Sequence, residues 1–203
     1  MIKAVIFDVG GVIVQSGARQ GRRKWEDRLE LSEWESEDII FNSDMGNKAQ
    51  NGEISDEELW KWARKRFELS VDEFAKFTID FWADNKVDQE MMAMIRKLRP
   101  TYTTAIISHA TDTLRQDLDE RYHIDDAFDL IVCSAEEKVM KPDPAIYLNT
   151  LNRLQVKPSE SVFIDDMEAN AAAARELDMK AIHYTPAIDL AAELYKYGVL
   201  IGG

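Results

Sequence analysis

Three short runs constrain this chain more than any other feature. Ala4-Val5-Ile6-Phe7, Thr104-Ala105-Ile106-Ile107 and Ser161-Val162-Phe163-Ile164 are nearly unbroken in apolar character, and each runs straight into polar residues: Asp8, Ser108 and the pair Asp165-Asp166. A strand with one wet face alternates apolar and polar residues, whereas an unbroken run belongs to a strand covered on both faces, as in a parallel sheet flanked by helices. Residues 130–133 and 180–183 supply two weaker candidates of the same kind. Helical patterns separate the runs. Met91, Met92, Ile95 and Leu98 recur at helical spacing behind Asp88 and ahead of Pro100, Asp143-Pro144 opens a second helix, and residues 169–177 form an alanine-rich third. Strands alternating with helices predict an α/β fold, a doubly wound parallel sheet of Rossmann-like type.

Residues 16–85 break that alternation. They carry no convincing strand, are dense in charge and hold all five tryptophans, Trp25, Trp34, Trp60, Trp62 and Trp82. The expected organisation is therefore an α/β core of residues 1–15 and 86–203 with a helical insertion at 16–85. Ser55 with Glu58 three residues later is a capping-box signature, and Asn51-Gly52 marks the turn before it. Large rings fill a small helical core efficiently, so packing is the expected task of the tryptophans, with one or two rings free to line a site. Arg19, Arg22, Arg23 and Lys24 form the one basic run. Such a run is either a solvated helix face or a steering patch for an anionic ligand.

Charge narrows the partners. Lys and Arg number 25 against 38 Asp and Glu, a net charge of −13, which disfavours nucleic acid and anionic membrane surfaces. Cys133 is the only cysteine, so there is no internal disulfide and no cysteine cluster for zinc. The opening run lacks the features of a secretory leader, and no segment approaches the ~20 apolar residues of a membrane span. A soluble, cytoplasmic protein is the expectation; oligomeric state is not legible.

The polar residues at the strand exits carry the chemistry. In a doubly wound sheet the parallel strands all end on one side, where ligands bind. Asp8, Ser108, the Asp165-Asp166 pair and Lys141, which precedes the helix started by Asp143-Pro144, should converge there. Carboxylates offer hard oxygens to Mg²⁺, while a hydroxyl and an ammonium offer donors to phosphoryl oxygens. Taken singly, each residue also has an ordinary reading as a turn former, helix cap or solvated side chain.

The pattern resembles the haloacid dehalogenase-like hydrolases. The family's four motifs are similar, in order, to Phe7-Asp8-Val9-Gly10-Gly11-Val12, Ile106-Ile107-Ser108, Lys141-Pro142 and Phe163-Ile164-Asp165-Asp166 with Asn170. The insertion resembles the helical cap of the branch that includes epoxide hydrolase phosphatase domains and bacterial sugar-phosphate phosphatases. The resemblance implies that Asp8 is a nucleophile forming an aspartyl-phosphate, and that Ser108 and Lys141 bind the phosphoryl group; His109, next to Ser108, is a further candidate for that binding. It implies Mg²⁺ held by Asp8, the Gly10 carbonyl and Asp166, with Asp165 acting through water or from behind, and a small phosphorylated metabolite as substrate.

Gly10 departs from the pattern. Phosphatases of the family usually carry a second aspartate at that position, a general acid and base worth roughly 10² to 10⁴ in rate. His109, with an ordinary pKa of about 6.5, is the candidate substitute, although a histidine there also serves by hydrogen bonding alone. The alternative to a working phosphatase is a slow or inactive member that binds metal and phosphate. Dehalogenation leaves the Asp165-Asp166 pair without a purpose, and a phosphomutase needs the missing acid and base.

Overall fold

The computed structural model describes residues 1–202. Its strands are β1 (Ala4–Phe7), β2 (Val14–Gln15), β3 (Lys86–Val87), β4 (Thr103–Ser108), β5 (Leu130–Cys133), β6 (Ser161–Asp165) and β7 (Lys180–His183). Five of them form one parallel sheet in the order β5-β4-β1-β6-β7, so the chain winds outward from β1 in both directions. The expected doubly wound fold is present, with all five anticipated strands in place.

The unbroken apolar runs have the anticipated cause. Along β1, Val5 and Phe7 pack into one core, and Ile6 into another on the opposite face. The first core is closed by α6 (Gln89–Leu98) through Met91, Met92, Ile95 and Leu98, and by α11 (Leu190–Lys196) through Leu190 and Leu194. The second is closed by α9 (Pro144–Leu154) through Ile146, Tyr147 and Leu151, and by α10 (Glu168–Glu176) through Ala171 and Ala174. Asp88 caps α6 by accepting from the backbone N–H groups of Glu90 and Met91, and Pro144 occupies the first turn of α9 behind its cap Asp143.

The insertion holds five helices: α1 (Gln20–Arg28), α2 (Glu35–Phe41), α3 (Asp44–Gln50), α4 (Asp56–Arg66) and α5 (Val71–Trp82). They surround a core of their own that includes Trp25, Ile40, Leu59, Phe77 and Phe81. Both α4 and α5 start with a full capping box, Ser55 with Glu58 and Ser70 with Glu73; the second was not anticipated from sequence. The antiparallel ribbon β2–β3, with Val14 opposite Val87, ties the two ends of the insertion together where it leaves the sheet. The tryptophans divide. Trp25 is fully buried edge-on to Phe77 at 5.5 Å, Trp60, Trp62 and Trp82 are partly buried, and Trp34 is 48% exposed with the Arg19 guanidinium stacked over it.

The short α7 (Leu114–Gln116), which runs into a π-helical turn at Asp117–Arg121, and α8 (Ser134–Glu137) follow β4 and β5. Among the described residues no helix is long and apolar enough to cross a membrane.

Candidate active site

Sheet register delivers the site. Phe7 lies opposite Ile106 on one side and Ile164 on the other, so the residue after it, Asp8, comes level with Ile107 and Asp165. Asp8 then leaves the sheet with its N–H donating to the Ile164 carbonyl at 2.9 Å.

Lys141 ties the strand ends together. Arriving from the loop before α9, its buried Nζ lies 3.0 Å from Asp8 Oδ1 and donates to Asp165 Oδ2 at 2.7 Å and to the Ile107 carbonyl at 3.1 Å. The ammonium thereby touches the exits of β1, β4 and β6 at once. Burial opposes its charge, but the Asp8 and Asp165 carboxylates outweigh that and hold the Lys141 pKa above the ordinary lysine value.

The carboxylates differ in their surroundings. Asp8 Oδ1 also accepts from the Val9 N–H at 2.7 Å, which leaves its second oxygen the freer one. Burial pushes the Asp8 carboxyl up to about 6, against the pull of Lys141. Asp165 is fully enclosed: Oδ2 takes Lys141, while Oδ1 takes the Met167 N–H at 2.8 Å and Asn170 Nδ2 at 3.0 Å. Asp166 is half-buried, and burial together with the Asp165 charge raises its pKa. Carboxylate oxygens of Asp8, Asp165 and Asp166 lie within 4.8 Å of one another, the one such metal-sized group among the described residues. Hard oxygens at that spacing, still short of positive charge despite Lys141, suit Mg²⁺.

Glycine geometry completes this floor. Gly11 has φ +70°, and a Cβ there would lie 2.2 Å from Asp166 Oδ2, so only a bare backbone lets the Asp166 carboxylate approach. At Gly10 a Cβ would meet no heavy atom within 4 Å.

Above the floor opens a cavity of about 710 Å³, lined by Gly10, Gly11, Ser108 and His109 below and by insertion residues above. The predicted residues Asp8, Gly10, Ser108, His109, Lys141, Asp165 and Asp166 therefore meet in one place. The premise behind His109 as a near-neutral acid is corrected. Burial and the Lys141 charge push its pKa down to about 4, so the ring is uncharged at neutral pH, and its buried Nε2 has no hydrogen-bond partner. The reading of the basic run is corrected in part: Arg23 and Lys24 are solvent-exposed, but Arg19 and Arg22 are buried, so the run is neither one continuous solvated face nor one free patch. Arg19 and Arg22 are buried against Glu26 and Glu37, Arg23 pairs with Glu33, and Lys24 with Asp80.

The haloacid dehalogenase-like hydrolase family profile matches residues 2–178. The chain belongs to that family. This haloacid dehalogenase-like hydrolase is 25% identical over 195 residues to the sesquiterpene phosphatase astK of Aspergillus oryzae, covering 95% of this chain and 94% of that one. It is 25% identical over 203 residues to the D-ribitol-5-phosphate phosphatase of Bacteroides thetaiotaomicron, covering 96% and 97%. Among solved structures, a HAD family enzyme of B. thetaiotaomicron in complex with magnesium and inorganic phosphate superposes with a TM-score of 0.79 at 20% identity, over 95% of this chain and 99% of that one. At that identity the likeness concerns the fold.

Several cavity residues of the hydrolase had no signal in the sequence. Glu37, Gln50, Asp56 and Asn85 lie in or beside the charge-dense insertion, where nothing local separates a cavity-facing polar residue from a solvated one.

Proposed function

We propose that the protein is a Mg²⁺-dependent phosphatase that hydrolyses a small phosphorylated metabolite through an aspartyl-phosphate on Asp8. The observation that carries this reading is the arrangement in which Lys141 joins Asp8 to Asp165 while three carboxylates gather within 4.8 Å beneath an open cavity. A cavity of about 710 Å³ is of a size for a small molecule, since such sites occupy roughly 300–1,000 Å³.

In this reading Lys141 and the Val9 N–H hold Asp8 ionised and aimed, and the free carboxylate oxygen attacks phosphorus in line. The bond to the leaving oxygen breaks, and that oxygen departs with the electron pair and collects a proton. Water then attacks the same phosphorus, releasing inorganic phosphate and restoring Asp8. Ser108, lining the cavity beside Asp8, donates to a phosphoryl oxygen, and Lys141 neutralises charge along the edge it shares with Asp8. Asp8, Asp166 and the Gly10 carbonyl would hold Mg²⁺, which would offset the charge of an anionic ester facing an anionic nucleophile. Both Asp165 oxygens already accept hydrogen bonds, so Asp165 acts from behind by fixing Lys141.

His109 is the candidate for the missing acid on position alone. Its low basicity favours a hydrogen-bonding part, and unchanged turnover in His109→Ala would remove it from proton transfer. The phosphatase reading itself is tested with an activated aryl phosphate. Hydrolysis that stops on chelation, returns with Mg²⁺ and vanishes in Asp8→Asn is expected, and hydrolysis that survives Asp8→Asn rejects it.

Gly10 favours a second reading, a member of the family that binds metal and phosphate without turnover. Mg²⁺-dependent phosphate binding with no hydrolysis across a broad panel of esters would establish that reading instead.

A further inference from the structure

Of the insertion's buried side chains with unpartnered polar atoms, Arg19, Arg22 and Glu26, Arg22 is the one that lines the cavity. Arg22 on α1 is only 3% exposed and yet lines the cavity. Its Nη2 donates to Asn85 Oδ1 at 3.0 Å, and its guanidinium stacks on the Phe81 ring, 4.4 Å from the centroid. Nη1 lies 3.1 Å from Glu37 Oε1 without hydrogen-bond geometry, and neither Nε nor Nη1 has a hydrogen-bond partner. A buried guanidinium with idle donors is costly, because each donor has given up water without replacement. Burial accordingly lowers the Arg22 pKa, against the pull of Glu37. Glu37 is itself fixed from the other side, its Oε2 accepting from Arg19 at 2.6 Å. The cavity thus presents a donor and an acceptor side by side, both held rigidly, at the end contributed by the insertion.

We propose that Arg22 and Glu37 select the leaving group, taking a neutral, polyhydroxylated one by gripping a hydroxyl that accepts from the guanidinium and donates to the carboxylate. A hydroxyl is the group that can do both at one oxygen. The rest of the lining argues against the two obvious competitors. Four carboxylates, Glu37, Asp56, Asp117 and Glu120, face two guanidiniums, Arg22 and Arg121, and Arg121 is already paired with Asp117 at 3.1 Å. That excess of negative charge repels a leaving group bearing a second phosphate or a carboxylate. An isoprenyl chain would leave the Arg22 donors as unpaired as they are without a ligand, and burying them further beneath hydrocarbon adds to the penalty.

This inference rests on the phosphatase reading, and the experiment separates the two. The wild type, Arg22→Gln and Glu37→Gln are each assayed with Mg²⁺ against p-nitrophenyl phosphate, a phosphorylated linear pentitol, a sugar bisphosphate and an isoprenyl monophosphate. The wild type is expected to prefer the pentitol phosphate over the bisphosphate and the isoprenyl ester. The ratio of kcat/KM for pentitol phosphate over p-nitrophenyl phosphate is expected to fall about tenfold or more in both variants, chiefly through KM, as the loss of a charge-assisted hydrogen bond requires. The ratio does not depend on how much of a variant folds, and Glu37→Gln changes charge with little change in shape should Arg22→Gln fail to fold. A ratio within about twofold of wild type in the folded variants overturns the inference, as does a wild-type preference for the isoprenyl ester or the bisphosphate. Failure of the wild type to hydrolyse any of the four overturns the phosphatase reading instead.

Discussion

Two adjacent glycines do opposite work at the site. Gly11 is held to glycine by its positive φ and by the Asp166 carboxylate pressed against it, whereas a side chain at Gly10 would project into open space. The acid missing at position 10 is therefore absent without steric cause, and Gly10→Asp should be accommodated. Its expected effect is a rise in kcat of about tenfold or more toward esters with poor leaving groups and much less toward an aryl phosphate, whose leaving group needs little protonation, as read by steady-state kinetics. Lys141 bears on stability as well as on chemistry. Lys141→Met leaves the buried Asp8 and Asp165 carboxylates facing each other without a countercharge. That should cost about 3–5 kcal/mol in denaturant unfolding at neutral pH, with partial relief on adding Mg²⁺.

At the scale of elements, the insertion is held by its ring-filled core and by the starts of its helices. Phe77 on α5 packs against Trp25, Trp60, Phe67, Phe74 and Phe81, a density of rings that explains why five short helices keep a common core. Glu73 closes the α5 capping box and also pairs with Arg28 of α1, so one carboxylate joins two helices. The Ser70 hydroxyl and N–H, with Arg28, hold its pKa down from 4.5 to about 2. A depressed carboxylate contributes stability that is complete above its unfolded pKa and is lost as pH falls through the folded one. Glu73→Gln should accordingly lower Tm at neutral pH, with the difference from wild type shrinking between pH 4.5 and about 2 in thermal melts. A difference constant across that range would show that the charge of Glu73 plays no part.

The whole molecule works as a two-faced sheet and a helical insertion, each with its own packing, meeting over one cavity. Thr111 Oγ1 beyond β4 donates to Asp56 Oδ1 of α4 at 2.8 Å, and the Asp56 N–H donates to Asp112 Oδ1 at 2.9 Å. Nearby, a Cβ on Gly52 would lie 2.0 Å from the Ala135 carbonyl oxygen, so the turn before α4 seats directly on α8. These contacts close the insertion over the strand ends, along the rim of the cavity that Thr111 and Asp56 help to line. Thr111→Val keeps the shape but removes the hydrogen bond, and Gly52→Ala wedges the seat apart. Both should raise KM and lower kcat/KM by about threefold to thirtyfold while Tm moves by only a few degrees, since neither removes a core side chain. An unchanged KM in both variants would show that closure does not depend on this seam.

The apolar runs determined the sheet, because a strand buried on both faces has one environment available to it and needs no distant information to declare it. Asp8, Ser108, Asp165 and Asp166 were legible for the same reason: in-register parallel strands bring their exits to one edge, so position along the chain becomes position in space. Lys141 was legible as a member of the group, but nothing local to it indicates that its ammonium would sit among the Ile107 carbonyl, Asp8 and Asp165. The seam between the sheet and the insertion and the faces of the insertion helices belong to tertiary structure alone. Arg19 to Lys24 read as a basic run along the chain and became, in space, a network in which Arg19 and Arg22 share Glu37 while Arg23 pairs with Glu33 and Lys24 with Asp80. Their partners Glu37, Glu33 and Asp80 lie on α2, in the turn before it and on α5, and which face of a short charged helix turns inward depends on what packs against it. Hydrophobic periodicity is a local property of the chain, while the pairing of polar groups across a cavity is not.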